Sequence, residues 1–233
     1  GKKISHIKWV DDDDGYIQIH EYPDKRVRYA LGGDTAGEGE DYFTALVGSS
    51  KTGRTVAKLK KQFDADEYTR QIYCLGMYYN YALIGVEVNF DPSVVKDLTR
   101  LGYRNQYIRE VQDSISEKYK KAYGFKTTAY TRPIILNRLI EIVKFNVEIL
   151  LDRDLLEEML TFVRNEKGRM EAMNGAHDDL VMGAGILYET LTQVPATPIE
   201  VVEKAKKKRR VDYDDEDEDI DNDDEDKFLN YEG

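Results

Sequence analysis

The apolar period of this 233-residue chain changes part-way along, and that switch restricts the fold more than any other feature. From Val27 to Leu59 the apolar residues come in short runs broken by turns. Val27–Leu31, Phe43–Gly48 and Thr55–Leu59 read as three strands of a meander, the last two joined by Ser49-Ser50-Lys51-Thr52-Gly53. Then Tyr68, Ile72, Leu75 and Tyr79 fall at i, i+4, i+7 and i+11, one face of a helix. Ala82–Val86 reads as a buried strand. Asp91-Pro92 opens a helix to about Leu101, with Pro in its first turn and Gly102 closing it. Gln106–Arg109 reads as a short strand, and residues 111–130, rich in Lys and Tyr, as a loop or hairpin excursion. Pro133–Phe145 is helical, a second helix capped by Asp152 or Asp154 runs through Val163, Gly168–Met173 is a short strand or hairpin, and His177–Leu191 is the last helix. A meander followed by alternating helices and strands predicts an α/β fold: a mixed central sheet flanked by helices. The strands ending at Leu31 and Val86 are expected side by side at its centre.

Ahead of the meander, Ile4–Val10 and Tyr16–His20 flank Asp11-Asp12-Asp13-Asp14-Gly15, whose Asp-Gly end suits an N-terminal hairpin. The four aspartates lack the spaced ligands and distal Glu of a calcium loop, so they read as a solvated turn. Hydrophobic content of 41% suffices for a core. No run reaches the roughly 18 apolar residues of a membrane span, and no segment resembles a signal peptide. The single cysteine, Cys74, sits in an apolar helical pattern as a structural thiol and excludes an internal disulfide.

Net charge is −11, but it is unevenly placed. Residues 211–233 carry 13 Asp/Glu and one Lys, or −12, which leaves +1 for the other 210 residues. The near-neutral body is compatible with nucleic-acid binding. Three segments are expected: 1–26 as N-terminal strands attached to the main domain, 27–195 as that domain, and 196–233 as a charged, disordered tail in which basic Lys204–Arg210 precedes the acids. The start at Gly1 is compatible with an excised fragment.

Three acidic positions carry the chemistry. Asp34 follows the apolar run ending in Gly32-Gly33, Glu87 ends the Ala82–Val86 strand, and Asp178-Asp179 open the last helix after His177. Singly each has an ordinary explanation: a turn or cap for Asp34, a lysine partner for Glu87, the helix dipole for Asp178 and Asp179, a cap for His177. Jointly they put acids at the ends of buried elements, where an unpaired charge is costly. Carboxylates with few imidazoles or thiols favour a hard cation, Mg²⁺ or Mn²⁺. Two such cations roughly 3.5–4 Å apart suit attack of water on a phosphodiester. Thr35-Ala36-Gly37-Glu38-Gly39-Glu40 is glycine-rich but is no P-loop, because the lysine and the following helix are missing.

Several motifs together resemble the nuclease domain of tailed-phage terminase large subunits, a branch of the ribonuclease H-like nucleases. They are Gly33-Asp34-Thr35-Ala36 with Asp41-Tyr42, Tyr79-Asn80-Tyr81-Ala82 before Glu87-Val88-Asn89, Gly124-Phe125-Lys126-Thr127-Thr128, Thr131-Arg132-Pro133, and Gly175-Ala176-His177-Asp178-Asp179-Leu180-Val181-Met182. The resemblance runs from about residue 15 to 192. It implies a Mg²⁺- or Mn²⁺-dependent endonuclease that cuts concatemeric double-stranded phage DNA in the host bacterial cytoplasm. Asp34, Glu87 and Asp179 would be the metal-binding triad, with Asp178, Asp41 and His177 auxiliary. Helical geometry leaves Asp178 and Asp179 open; the family pattern favours Asp179. In the family a packaging ATPase precedes this domain, and small terminase and portal proteins join it. This chain has no P-loop and looks like a nuclease domain separated from that motor. Lys118, Lys120, Lys121, Lys126 and Arg132, with Arg104, are the expected DNA-backbone contacts. Two rival readings are another ribonuclease H-like nuclease, such as a junction resolvase or transposase relative, and a non-catalytic packaging-assembly module.

Overall fold

The structure, a computed structural model, describes residue 4 and residues 7–35, 42–89, 91–112 and 119–195. Asp41, Lys118 and the tail expected from residue 196 lie outside the described residues.

Five strands form the main sheet: β1 (Ile17–Ile19), β2 (Tyr29–Asp34), β3 (Phe43–Ser49), β4 (Thr55–Lys61) and, after helix α1 (Ala65–Tyr78), β5 (Leu83–Val86). Their order is β1-β4-β3-β2-β5. All neighbours are antiparallel except β2 and β5, which run parallel with Gly32 opposite Gly85 and Gly33 opposite Val86. The predicted mixed sheet and the adjacency of the strands leading to Asp34 and Glu87 are therefore present. β5, however, ends the five-strand order rather than lying at its centre. Beyond it, among the described residues, come two isolated parallel bridges, Ile84 with Gln106 and Glu87 with Phe125.

Helix α2 (Ser93–Arg100) follows, then a hairpin of β6 (Ile108–Gln112) and β7 (Tyr119–Tyr123), which is the Lys/Tyr excursion. Helix α3 (Thr131–Phe145), a 3₁₀ turn at Val147–Ile149, helix α4 (Arg153–Leu160), a second hairpin of β8 (Phe162–Arg164) and β9 (Met170–Ala172), and helix α5 (Asp179–Leu191) complete the order. Asp152 is the α4 cap, accepting from Leu155 N at 2.9 Å. The helix expected to reach Val163 stops at Leu160, because Phe162–Arg164 pair with β9 instead.

The N-terminal hairpin is a correction. The turn closes, with Gly15 N donating to Asp12 O at 3.0 Å. Residues 7–10 form no strand, and β1 pairs with β4 as an integral strand of the sheet. Trp9 is used elsewhere: its ring stacks on Tyr78 of α1 at 5.0 Å.

Strand alternation divides the core. Tyr29 and Leu31 point to the face covered by α1 and α2, with Tyr68, Ile72, Leu75, Val94 and Leu98. Ala30 and Leu46 point to the face covered by α3, α4 and α5, with Ile135, Leu155, Leu180 and Leu187. Glycine sets how close the covering helices lie. A Cβ on Gly32 would stand 2.1 Å from Leu187 N of α5, and one on Gly33 would stand 2.2 Å from the Tyr68 hydroxyl of α1. The Gly32-Gly33 pair thus lets both layers press against β2 just before Asp34. Among the described residues no helix is long and apolar enough to cross a membrane.

Candidate active site

The close contact of α5 with β2 decides what meets at the carboxyl end of that strand. Asp34 is the last residue of β2, opposite Thr44 of β3. One residue past β5, Glu87 is held by its backbone N–H on Gly33 O at 3.0 Å and by its bridge to Phe125. Asp178 and Asp179 sit at the start of α5, and Thr44 Oγ1 donates to Asp179 O at 2.9 Å. All four acids line one cleft of about 900 Å³. The joint placement expected from the sequence is thus present.

The acids differ in what surrounds them. Asp34 Oδ1 is buried without a hydrogen-bond partner. Burial, then the facing Glu87 carboxyl, then Asp179 and Asp178 hold the Asp34 carboxyl well above the usual carboxylate range. Glu87 is itself only 5% exposed. Asp179 Oδ2 accepts from Tyr42 N at 3.4 Å and lies 3.8 Å from His177 Nδ1. Asp178 is engaged on its other side: its Oδ2 takes Arg132 Nη2 at 3.1 Å. The two adjacent aspartates that helical geometry left open therefore occupy different environments.

Arg132, one of the expected DNA contacts, lines the cleft and is also engaged within the protein. Its guanidinium is largely buried, Nη2 also reaches Met170 O at 3.2 Å, and Nη1 rests against Met182 Sδ at 3.0 Å. A cation packed this way braces Asp178 and the start of α5. Lys120 and Lys121 are exposed on β7 and Lys126 is exposed just after Phe125, but none of the three lines the cleft. Arg104 is also exposed and outside it. His177 does not line the acid cleft, though its Nδ1 lies 3.8 Å from Asp179 Oδ2. Its ring meets Tyr42 edge-on at 5.7 Å and lines a separate cavity with Lys58, Lys60 and Asp154.

Sequence reasoning missed the basic wall. Arg164, Lys167 and Arg169, from the β8–β9 hairpin, line the same cleft as the acids. The signal is present as three cations around the Gly168 turn, but a backbone pattern does not say what they face. Asn89 is a second omission, as a clamp: its Nδ2 donates to Thr127 O at 2.7 Å while its Oδ1 accepts from Thr127 N at 3.1 Å. That pair continues the β5–Phe125 contact past Glu87 and fixes the loop before α3.

Helix α5 is anchored from outside. Its N-cap Asp178 makes no side-chain cap bond. Glu158 of α4 supplies one instead, Oε2 accepting from Leu180 N at 2.8 Å while Oε1 meets Lys60 Nζ at 2.6 Å. This fixes the helix start on which Asp179 rides.

The donor set fits a hard divalent cation: all-oxygen, anionic, with a buried orphan oxygen on Asp34. Among the described residues no three acidic, imidazole or thiol groups already stand in coordinating arrangement. Asp34 and Glu87 face each other across the cleft, and like charges so placed repel.

No protein-family model matches the chain, and no curated protein matches it by sequence. Solved structures do match by shape. The crystal structure of the large terminase nuclease from thermophilic phage G20c with bound magnesium aligns with a TM-score of 0.60 at 16% identity, covering 76% of this chain and 89% of that one. A second crystal structure of the same nuclease gives 0.58 at 17%, covering 76% and 90%. The Thermus phage P74-26 large terminase nuclease domain gives 0.57 at 17%, covering 76% and 86%. Further G20c crystals carry cobalt or zinc. The chain therefore has the ribonuclease H-like fold. Within that class its fold is the one found in phage large terminase nuclease domains.

Proposed function

We propose that this chain is the nuclease domain of a phage genome-packaging terminase, a metal-dependent endonuclease that cuts concatemeric double-stranded DNA. The observation that carries the reading is the convergence of Asp34, Glu87 and Asp179, from two parallel strands and a helix start, on one cleft in which Asp34 Oδ1 is buried and unpaired. Facing carboxyls drawn this far out of water, as Asp34 and Glu87 are, are expensive unless something positive completes them. The three acids would hold two Mg²⁺ or Mn²⁺ ions, which when bound activate a water and stabilise the leaving 3′ oxygen of an in-line displacement.

The chain's own groups do the positioning. Gly32-Gly33 seats α5 on β2, Glu158 and Thr44 hold the start of α5, and Arg132 retains Asp178 so that Asp179 is the acid available to a cation. Arg164, Lys167 and Arg169 line the cleft with the acids and would take the DNA backbone, a sequence-independent contact. The fold neighbours are terminase nucleases, and one was crystallised with magnesium. By that analogy the partners would be a packaging ATPase on the same polypeptide, with small terminase and portal proteins, in the host cytoplasm.

Nicking of a supercoiled plasmid tests the reading. Cutting is expected with Mn²⁺ or Mg²⁺ and none with EDTA. Undiminished cutting by both Asp34→Ala and Asp179→Ala would sink the assignment of the site. Preference for four-way junctions over plain duplex would move the chain to the resolvase branch of the same fold.

A further inference from the structure

The hydroxyl groups around the cleft fall into two sets. Those with a structural task are all engaged. Thr44 Oγ1 donates to Asp179 O, Thr131 Oγ1 donates to Lys126 O at 2.8 Å, and Thr128 Oγ1 accepts from Thr131 N at 3.0 Å and Tyr130 N at 3.2 Å. Two others are buried, line the cleft and have no hydrogen-bond partner: Thr35 Oγ1 and Thr127 Oγ1. Thr35 is only 3% exposed and directly follows Asp34. Thr127 lies two residues past Phe125, which bridges Glu87, and its backbone is pinned in both directions by Asn89. The two orphan hydroxyls thus flank the acid pair Asp34 and Glu87, each fixed by a rigid neighbour.

Leaving a buried hydroxyl unpaired is costly, and such groups recur where a ligand completes them. A hydroxyl here has a property that a lysine lacks. It donates a hydrogen bond without adding positive charge, so it does not compete with a cation for the carboxylates. Between two acids that would hold cations, the group it would meet is an anionic oxygen. Resting on the nuclease reading above, we infer that Thr127 and Thr35 donate hydrogen bonds to the non-bridging oxygens of the phosphodiester being cut, with Asn89 positioning Thr127 for that contact. Thr127 is the stronger of the two, because its loop is clamped to the end of β5.

The test uses the whole chain and the isosteric pair Thr127→Val and Thr127→Ser, with Thr35→Val and Thr35→Ser beside them. A hydrogen bond to a charged group is worth about 1.5–3 kcal/mol, which is about a tenfold change or more. Thr127→Val should therefore lower kcat/KM for plasmid cutting at least about tenfold, while Thr127→Ser stays within about threefold of the parent. Mn²⁺ affinity, read by calorimetry without DNA, should be the same in all. Short duplex binding in Ca²⁺, read by fluorescence anisotropy, gives a second readout that needs no cutting, and Thr127→Val should weaken it. Valine variants that cut and bind as the parent does overturn the inference. A loss of Mn²⁺ affinity in proportion to the loss of cutting also overturns it, since the hydroxyls would then support the metal site. A parent that binds duplex in Ca²⁺ with the expected Thr127 dependence but cuts under no metal condition rejects the nuclease reading and keeps the phosphate contact.

Discussion

Two regions of this molecule bury charge, and they treat it in opposite ways. Between β4 and α4, Lys58 is 3% exposed and Asp152 is fully buried, yet each has partners. Lys58 Nζ meets Asp152 Oδ2 at 3.2 Å and also pairs with Asp154, and His20 Nε2 reaches Asp152 Oδ2 at 3.0 Å. Burial alone would raise the Asp152 carboxyl, but His20, the Leu155 N–H and Lys58 outweigh it and hold it below the usual range. At the end of β2 the balance is reversed: Asp34 faces other acids, keeps an orphan oxygen and is pushed up. Compensated charge ties two elements together. Facing carboxyls at the end of β2 tie no elements together by themselves; under the proposed function a cation completes them.

The largest expected effect separates the two regions by activity. Outer partners of metal ligands typically matter about 10–100-fold, so removing a ligand should cost more than about a hundredfold. Asp34→Ala and Asp179→Ala should each lose plasmid cutting beyond that margin, read from initial nicking rates, while remaining folded by circular dichroism. Lys58→Met should show the converse. It removes the lysine from a fully buried Asp152, leaving His20 and the Leu155 N–H, and should cost about 3 kcal/mol of stability in urea unfolding. A neutral Lys58→Met would remove the basis of the comparison.

The pH dependence sharpens it further. Asp34 is raised in the folded state, so its contribution favours folding below the ordinary carboxylate pKa and is lost as pH rises through its folded value. Asp152 is lowered, so its contribution is present above the ordinary pKa and lost as pH falls through its folded value. Asp34→Asn should therefore stabilise the metal-free protein at neutral pH, by about 2–4 °C in Tm for each kcal/mol relieved. Added Mg²⁺ should raise the parent's Tm, more so as pH rises, and should leave Asp34→Asn nearly unmoved. Equal Mg²⁺ responses in thermal scans of the two proteins would contradict this.

The smallest effect concerns the basic wall. Replacing Arg164, Lys167 and Arg169 with Ala should weaken duplex binding across all sequences. The slope of log affinity against log salt should fall by about 1 for each phosphate that is no longer neutralised. An unchanged slope in a salt titration would place the DNA elsewhere, with exposed Lys120, Lys121 and Lys126 the next group to remove.

Much of this arrangement is legible in the sequence, for a local reason. The strands leading to Asp34 and Glu87 and the helix opened by Asp178-Asp179 are set by apolar period and capping, which are short-range. Their meeting follows because parallel strands put like ends together and Gly32-Gly33 admits α5. What is not legible depends on long-range partners. Arg132 reads as one more surface cation until Met170, Met182 and Asp178 are seen around it. Trp9 reads as part of a strand until Tyr78 is found beneath its ring. Gly168–Met173 reads as a short strand or hairpin, but what Arg164, Lys167 and Arg169 beside it face is not in the pattern. Likewise helical geometry leaves Asp178 and Asp179 open, and the family pattern favours Asp179; their different partners, Arg132 for Asp178 and Tyr42 N for Asp179, show only in the structure.

The most direct test of the central claim is anomalous diffraction from crystals of the chain soaked in Mn²⁺. The account predicts peaks in the cleft, within bonding distance of Asp34, Glu87 and Asp179 carboxylate oxygens, and none at Asp178. Saturating Mn²⁺ that leaves those oxygens bare, or that settles on Asp178 in place of Asp179, would contradict it.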